Sequence, residues 1–291
     1  MQENIPKRAL GYAFILPAFI LLGLFRLYPI LRNFILSFTS WDMVTADPRF
    51  IGIANYLELF SDEDFFSSIV VTLEYAVSFI VLSLVVGLAL SLCMTAKNKM
   101  NIFYRTVFFS PTVTSMVAMS AVWLFIYHPQ YGSLNSILGM LGIQPVRWLN
   151  TMDTALPSLV MMNVWKRMGF CTVVYLGALL GISSETVEAA RIDGANEWQL
   201  LWHIKLPLIS PTTFMLVILM TIESFQVFTQ INVMTQGGPN GSTTNLVTYM
   251  YMQAFDQFRV GYGSAIAVVL LAIVLLIYLI QMYFERFVNY D

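Results

Sequence analysis

Residues 263–284 read GSAIAVVLLAIVLLIYLIQMYF, a run without a single charge. A helix rises about 1.5 Å per residue and the hydrocarbon core of a bilayer is about 30 Å thick, so this run predicts a membrane-spanning helix. Five further stretches share its length and character, near 9–31, 69–94, 107–127, 155–180 and 209–233. The third of the six spans, 107–127, is the least apolar, because Pro111 and several Ser and Thr residues dilute it. The sequence thus predicts an all-α integral membrane protein with six transmembrane helices, forming one domain over 1–291. Composition points the same way: 58% of residues are hydrophobic and 11% charged, where a soluble domain has about 45–50% and about 25%. The formal charge of −2 offers no basic field for nucleic acid.

Lys7 and Arg8 precede the first run as a signal peptide's basic flank would. No small-residue cleavage site follows, and the run continues into FRLYPILRNF, so an uncleaved first span is expected. Lys and Arg set the orientation. With the N-terminus inside, inner segments hold Lys7, Arg8, Lys97, Lys99, Arg105, Arg191, Lys205 and Arg286, and outer loops hold Arg49, Arg147 and Arg259. Both termini are then cytoplasmic. Trp41, Trp123, Tyr127, Trp148 and Tyr283 fall near span ends, as an aromatic belt would place them.

Resident chemistry is not expected. Cys93 and Cys171 each lie inside an apolar stretch and read as buried thiols. His128 and His203 fall on opposite sides of the membrane, which argues against a metal or catalytic pair. The sequence has no Gly-rich phosphate loop ending in Lys-Ser/Thr, no Gly-x-Ser-x-Gly and no histidine–glutamate metal motif. Gly177 and Gly181 form a small-x-x-x-small pair, a signal for helix contact.

The inner loop Ser183–Pro211 reads SSETVEAARIDGANEWQLLWHIKLPLISP. Ser183 or Ser184 can cap a helix whose positive end welcomes Glu185 and Glu188. Ala189 and Ala190 are strong helix formers with minimal side chains. Gly194 permits a bend. Trp198, Leu201 and Trp202 share one face of a second short helix, and Pro207 marks the break before the next span. A helix–turn–helix hairpin follows. Either it rests on lipid headgroups as an amphipathic connector, or its thin alanine face enters a protein cleft while the two tryptophans hold its base.

Glu188-Ala189-Ala190, Gly194, Ile204 and Leu206-Pro207 also stand at the spacing of a known signature: EAA, three residues, Gly, nine residues, Ile, one residue, Leu-Pro. This resembles the permease subunits of binding-protein-dependent ABC importers. The extended form EAARIDGA, which includes Asp193, is similar to the sugar-transporting branch. Gly11–Asp42, NYLELF at Asn55–Phe60, VWKRMGF at Val164–Phe170 and TQGGPNGSTTNLVTYMYMQAF at Thr235–Phe255 resemble segments of the maltose-type larger-partner permeases, with a small residue commoner at the Arg167 position.

The resemblance implies a type I ABC importer permease in a prokaryotic cell membrane. Loop 183–207 would be its coupling element, with Glu188, Ala189, Ala190, Asp193, Gly194, Ile204, Leu206 and Pro207 set in a groove of a cytoplasmic ATPase. ATP and Mg would be bound by that ATPase, leaving this chain without a cofactor and without an enzymatic role. The implied partners are a second, different permease, two copies of the ATPase and an extracytoplasmic solute-binding protein. GGPNGST at Gly237–Thr243 reads as a turn-rich outer loop. It is either a plain connector or, as the resemblance suggests, a neighbour of the outer gate or receptor through Gly237, Gly238 and Pro239.

Ionisable residues at mid-bilayer usually face a partner or a pathway. Asn163, Lys166 and Arg167 share a face of the fourth span, and Glu223, Gln226 and Gln230 share one of the fifth at i, i+3 and i+7. Lys166, Arg167 and Glu223 match in depth. They form either a structural ion pair registering the two helices or the wall of a path for a hydroxyl-rich solute, with Trp165, Phe170 and Phe225 as aromatic faces. Two rivals follow: a secondary transporter using this cluster as a proton relay, and an ABC permease for another solute, such as a glycerol phosphodiester or an amino acid.

Overall fold

The computed structural model describes residues 7–45, 47–95, 99–286 and 288. Lys97 falls outside the described residues, as do the side chains of Lys7, Arg8 and Lys99. Contacts divide the chain into two compact units, residues 1–62 with 249–272 and residues 63–248 with 273–291.

In the first unit, α1 (Lys7–Leu22) runs through a π-helical turn at Gly23–Leu27 into α2 (Tyr28–Leu36). The apolar window of Phe14–Leu36 is wholly unburied by the chain, as expected of a helix whose solvent is lipid. Two short strands then pair antiparallel, β1 (Thr39–Ser40) and β2 (Arg49–Phe50), with Thr39 opposite Phe50. They depart from an all-helical chain only locally. Helix α3 (Ala54–Leu59) follows. Buried Asn55 donates to the carbonyls of Ser37 (2.8 Å) and Thr39 (3.0 Å). The carboxylate of Asp62 accepts from the hydroxyls of Tyr249 and Tyr262, and Val260 N–H donates to the Trp41 carbonyl at 2.9 Å.

The second unit is built on α4 (Glu63–Cys93) and α8 (Met152–Gly181), which pack along much of their lengths. Both are nearly uniformly apolar, so close approach depends on small residues. Gly87 supplies one: a Cβ there would overlap the Cβ of Cys171. Gly169 supplies another, because a Cβ would overlap the Phe108 carbonyl. The Gly177–Gly181 pair expected from spacing meets nothing within 4 Å in the described chain. Spacing places two glycines on a face but does not say which face another helix covers. Cys171 is buried, whereas Cys93 is exposed rather than covered.

The remaining helices are α5 (Lys99–Phe109), α6 (Met116–Ile126), α7 (Ser133–Met140), α9 (Ser184–Ile192), α10 (Glu197–Gln199), α11 (Leu206–Leu208), α12 (Ser210–Ser224), α13 (Thr229–Met234), α14 (Leu246–Tyr251) and α15 (Val260–Glu285). Of these, α14 and α15 run through the boundary between the units. Helix α5 packs on α8, α12 on α4 and α8, and α13 on α6. Among the described residues, three helical segments are long and apolar enough to cross a membrane: Phe14–Leu36, Glu63–Cys93 and Val260–Glu285. Three bent pairs bring the number to as many as six if each pair is one span, with angles of 105° between Met100–Val113 and Met116–Ile126, 69° between Met152–Gly181 and Ser184–Ile192, and 64° between Glu197–Leu208 and Ser210–Ser224. The stretch 107–127 is therefore two helices joined by a 3-10 turn at Ser110–Val113, and 209–233 is interrupted after Ser224.

Candidate functional site: a capped hairpin and a broken, charged helix pair

The Ser183–Leu208 hairpin is held by local rules. The Ser183 side chain accepts from Glu185 N–H at 3.2 Å, capping α9. At the other end Gly194 takes φ +88°, with its N–H on the Arg191 carbonyl (3.1 Å) and Ala195 N–H on the Ala190 carbonyl (3.0 Å). This is the Schellman stop, whose left-handed residue favours glycine. Asn196 and Gln199 then make a capping box that starts α10, a reciprocal pair that satisfies two free amides. Glu197 bridges the two arms, 2.7 Å from Arg191 and 3.8 Å from Lys205. The Arg191 hydrogen bond and charge hold the Glu197 carboxyl below its usual range.

Exposure divides the eight coupling candidates. Glu188, Ala189, Asp193 and Gly194 are exposed, while Ala190, Ile204, Leu206 and Pro207 are half-buried, Leu206 against the helical core. The Glu188 side chain makes no hydrogen bond or ion pair among the described residues. Trp198 and Trp202, expected to hold the base, are 70% and 60% exposed. Fully buried Leu200 takes that place, with Leu206 and Ile182 packed on the core. Alternation on a six-residue stretch cannot say which face meets the body, and the π-helical turn at Leu200–Lys205 changes the spacing there.

At mid-span the structure separates two neighbours that the sequence places together. Arg167 Nε donates to Glu223 Oε1 at 2.6 Å, joining α8 to α12. Lys166 does not pair with Glu223. Its buried ammonium donates to the carbonyls of Pro111 (2.9 Å), Thr112 (3.4 Å) and Thr114 (2.6 Å). Adjacent residues diverge by about 100° around a helix, so the two cations leave α8 in different directions. Asn163, one turn away, is fully buried beside the Tyr75 hydroxyl, with no well-formed side-chain hydrogen bond among the described residues.

The other path candidates scatter. Trp165 meets Trp123 edge-on, with centroids 5.5 Å apart. Phe170 lies under the Arg167 guanidinium at 5.8 Å. Because α12 ends at Ser224, Glu223, Gln226 and Gln230 do not form one helical face. Phe225 is buried, Gln226 is exposed, and Gln230 is buried with its amide 3.4 Å from the Tyr75 hydroxyl. Sequence reasoning missed Glu74. It stands exposed on α4 and lines a groove of about 1140 Å³ with Asp153 and Ser242. The signal was present as a lone carboxylate in the apolar run VVTLEYAVSF.

In the loop after α13, Gly237 is buried while Gly238 and Pro239 are half-buried. Thr243 and Thr244 hydroxyls hold the carbonyls of Gly238 (2.8 Å) and Gly237 (3.0 Å). The three receptor candidates thus shape the loop, and Gln236, Asn240 and Gly241 form its exposed tip. No group of three or more His, Cys, Asp or Glu side chains that could hold a metal occurs among the described residues.

Residues 20–290 match the family of binding-protein-dependent transport system inner membrane components. The chain is 36% identical to the probable ABC transporter permease protein YurN of Bacillus subtilis, over 96% of this chain and 97% of that one. It is 32% identical to the trehalose/maltose transport system permease protein MalF of Thermococcus litoralis, over 96% and 94%. Among solved structures, it resembles a chain of a bacterial ABC transporter involved in the import of the acidic polysaccharide alginate, with a TM-score of 0.85, 25% identity, and 99% and 98% coverage.

Proposed function

The chain belongs to the binding-protein-dependent transport system inner membrane component family, and on that premise we propose that it is one permease subunit of an ATP-driven carbohydrate importer. It is a multi-pass membrane protein with the type I ABC importer permease fold. The observation that carries the coupling role is the rigid hairpin. Caps at both arms and the Glu197 bridges fix its shape, while Glu188, Ala189 and the Gly194 turn stay exposed and unengaged. A preorganised exposed element with a free carboxylate suits a protein cleft, since little ordering cost remains to be met on docking.

In this reading the hairpin sits on a cytoplasmic ATPase that binds ATP and Mg, both termini lie inside, and a second permease completes the path. An extracytoplasmic binding protein delivers the solute, and the membrane is a prokaryotic plasma membrane. The solute is an oligosaccharide or polyol, in keeping with relatives named for trehalose and maltose, starch degradation products and multiple sugars. The path runs beside Asn163, Arg167, Phe170 and Glu223. Irregular backbone at membrane depth is stable only against protein or a water-filled cavity. Exposed Val113, Thr114 and Ser115, beside Lys166, therefore favour a path or partner on that side.

The test is co-purification of the complete complex. Glu188→Ala is expected to lose the ATPase while the permease still inserts. Full retention of the ATPase, together with unchanged transport, would overturn the coupling assignment.

A further inference from the structure

A buried ammonium that donates only to backbone carbonyls among the described residues is unusual for a helix interior. In water an ammonium is strongly hydrated, and in a low-dielectric interior that hydration must be replaced by fixed oxygens. Here the oxygens come from a helix break 52 to 55 residues away in sequence. Residues Ser110–Val113 form a 3-10 turn, and Thr114 is extended at φ −78°, ψ 146°. The break frees carbonyls that a continuous helix would have bonded to amides. Pro111 O also takes the Thr114 amide (3.3 Å) and hydroxyl (2.5 Å), but for Thr112 O and Thr114 O the ammonium is the one donor among the described residues.

Two further contacts tie the same segment to α8. The Thr112 hydroxyl donates to the Lys166 carbonyl at 3.2 Å, returning the interaction. One turn on, Gly169 lets the Phe108 carbonyl approach so closely that no Cβ would fit. The break is thus held at a charged point and at a steric point. The steric point sets only how near the segment lies. The ammonium gathers the three carbonyls, and with them the 105° bend between Met100–Val113 and Met116–Ile126.

We propose that Lys166 is a tethered cation: a positioning residue whose ammonium fills a carbonyl cluster at the 110–115 break, fixes the bend and so sets where Val113–Ser115 stand for transport. The consequence for transport rests on the path reading above, while the clamp itself rests on the geometry alone. Lys166 then has no direct contact with solute, unlike the adjacent Arg167. What matters at this position is a positive donor of ammonium size.

The experiment uses the complete importer in proteoliposomes, with uptake of solute delivered by its binding protein. Lys166→Met is expected to lower uptake at least tenfold at equal complex content. Lys166→Ala removes the side chain beyond Cβ, which is the bulk of n-propylammonium. Adding n-propylammonium is expected to restore uptake several-fold, and the neutral n-propanol is not. If Lys166→Ala yields no complex, purification with n-propylammonium present is expected to recover it, and failure to do so overturns the proposal. Uptake by Lys166→Met at the parental rate also overturns it, as does equal rescue by n-propanol. Asn163→Ala in parallel reads the path assignment by itself: unchanged uptake there would count against the path and leave the clamp standing on its amine rescue.

Discussion

The pairing at mid-span can be put to a quantitative test, because the two rival pairings predict opposite coupling in a pair of double-mutant cycles. Arg167 and Glu223 side chains are 28% and 21% exposed, so about three quarters of each is withdrawn from solvent. Breaking a fully buried pair by removing one partner costs about 3–5 kcal/mol. Scaled to this exposure, Arg167→Met and Glu223→Met should each cost about 2–3 kcal/mol, since each leaves a lone charge in a poor solvent. Removing both removes that penalty, so the double variant should lie within about 1 kcal/mol of the parent, with a coupling energy of about 3 kcal/mol or more. The assay is unfolding of the purified complex in mixed SDS micelles, followed by tryptophan emission. Lys166→Met with Glu223→Gln should behave differently. The two changes act on separate partners, so their costs should add and the double should be worse than either single. If Lys166→Met rescues Glu223→Gln, or if the Arg167/Glu223 double is no better than its singles, the geometry argued here is wrong.

Three further outcomes follow from other contacts. Gly194→Val forces a β-branched residue to φ +88°, at a cost of about 1–2 kcal/mol; as no atom lies within 4 Å of the added Cβ, membrane insertion should survive while transport is lost, which uptake at matched expression checks. Gly169→Ala should destabilise by about 1–3 kcal/mol through overpacking on the Phe108 carbonyl, whereas Gly177→Ala should be close to neutral, as thermal aggregation of the two variants would show. Because the Glu197 carboxyl is held low by Arg191, its contribution to the hairpin is complete above the ordinary carboxylate range and lost as pH falls through its depressed value. Protection of the 191–199 amides, corrected for intrinsic exchange, should therefore stay flat from about pH 8 to 5 and fall only in more acid solution.

Much of the hairpin was legible from residue order. A Ser cap, an alanine pair and a glycine stop act within one or two turns, so spacing alone locates α9 and its end. Which side of the hairpin is free was not legible. Trp198 and Trp202 look like anchors by hydrophobicity, yet Leu200 is the residue the body buries. The loop after α13 shows the same limit: Gly237, Gly238 and Pro239 mark a turn, but the threonines that hold the Gly237 and Gly238 carbonyls decide that the tip is Gln236, Asn240 and Gly241.

Residue order alone sets where the chain meets lipid and where the Ser183–Leu208 hairpin begins and ends. Those depend on run length, on apolar content and on caps between near neighbours. What the polar minority does inside the membrane is set by packing between distant segments. Lys166 and Arg167 are one residue apart, yet one serves the carbonyls of a broken helix and the other a carboxylate on α12. No local rule can separate them, because a charge in a low-dielectric interior takes whichever distant oxygen the packing brings within hydrogen-bond reach.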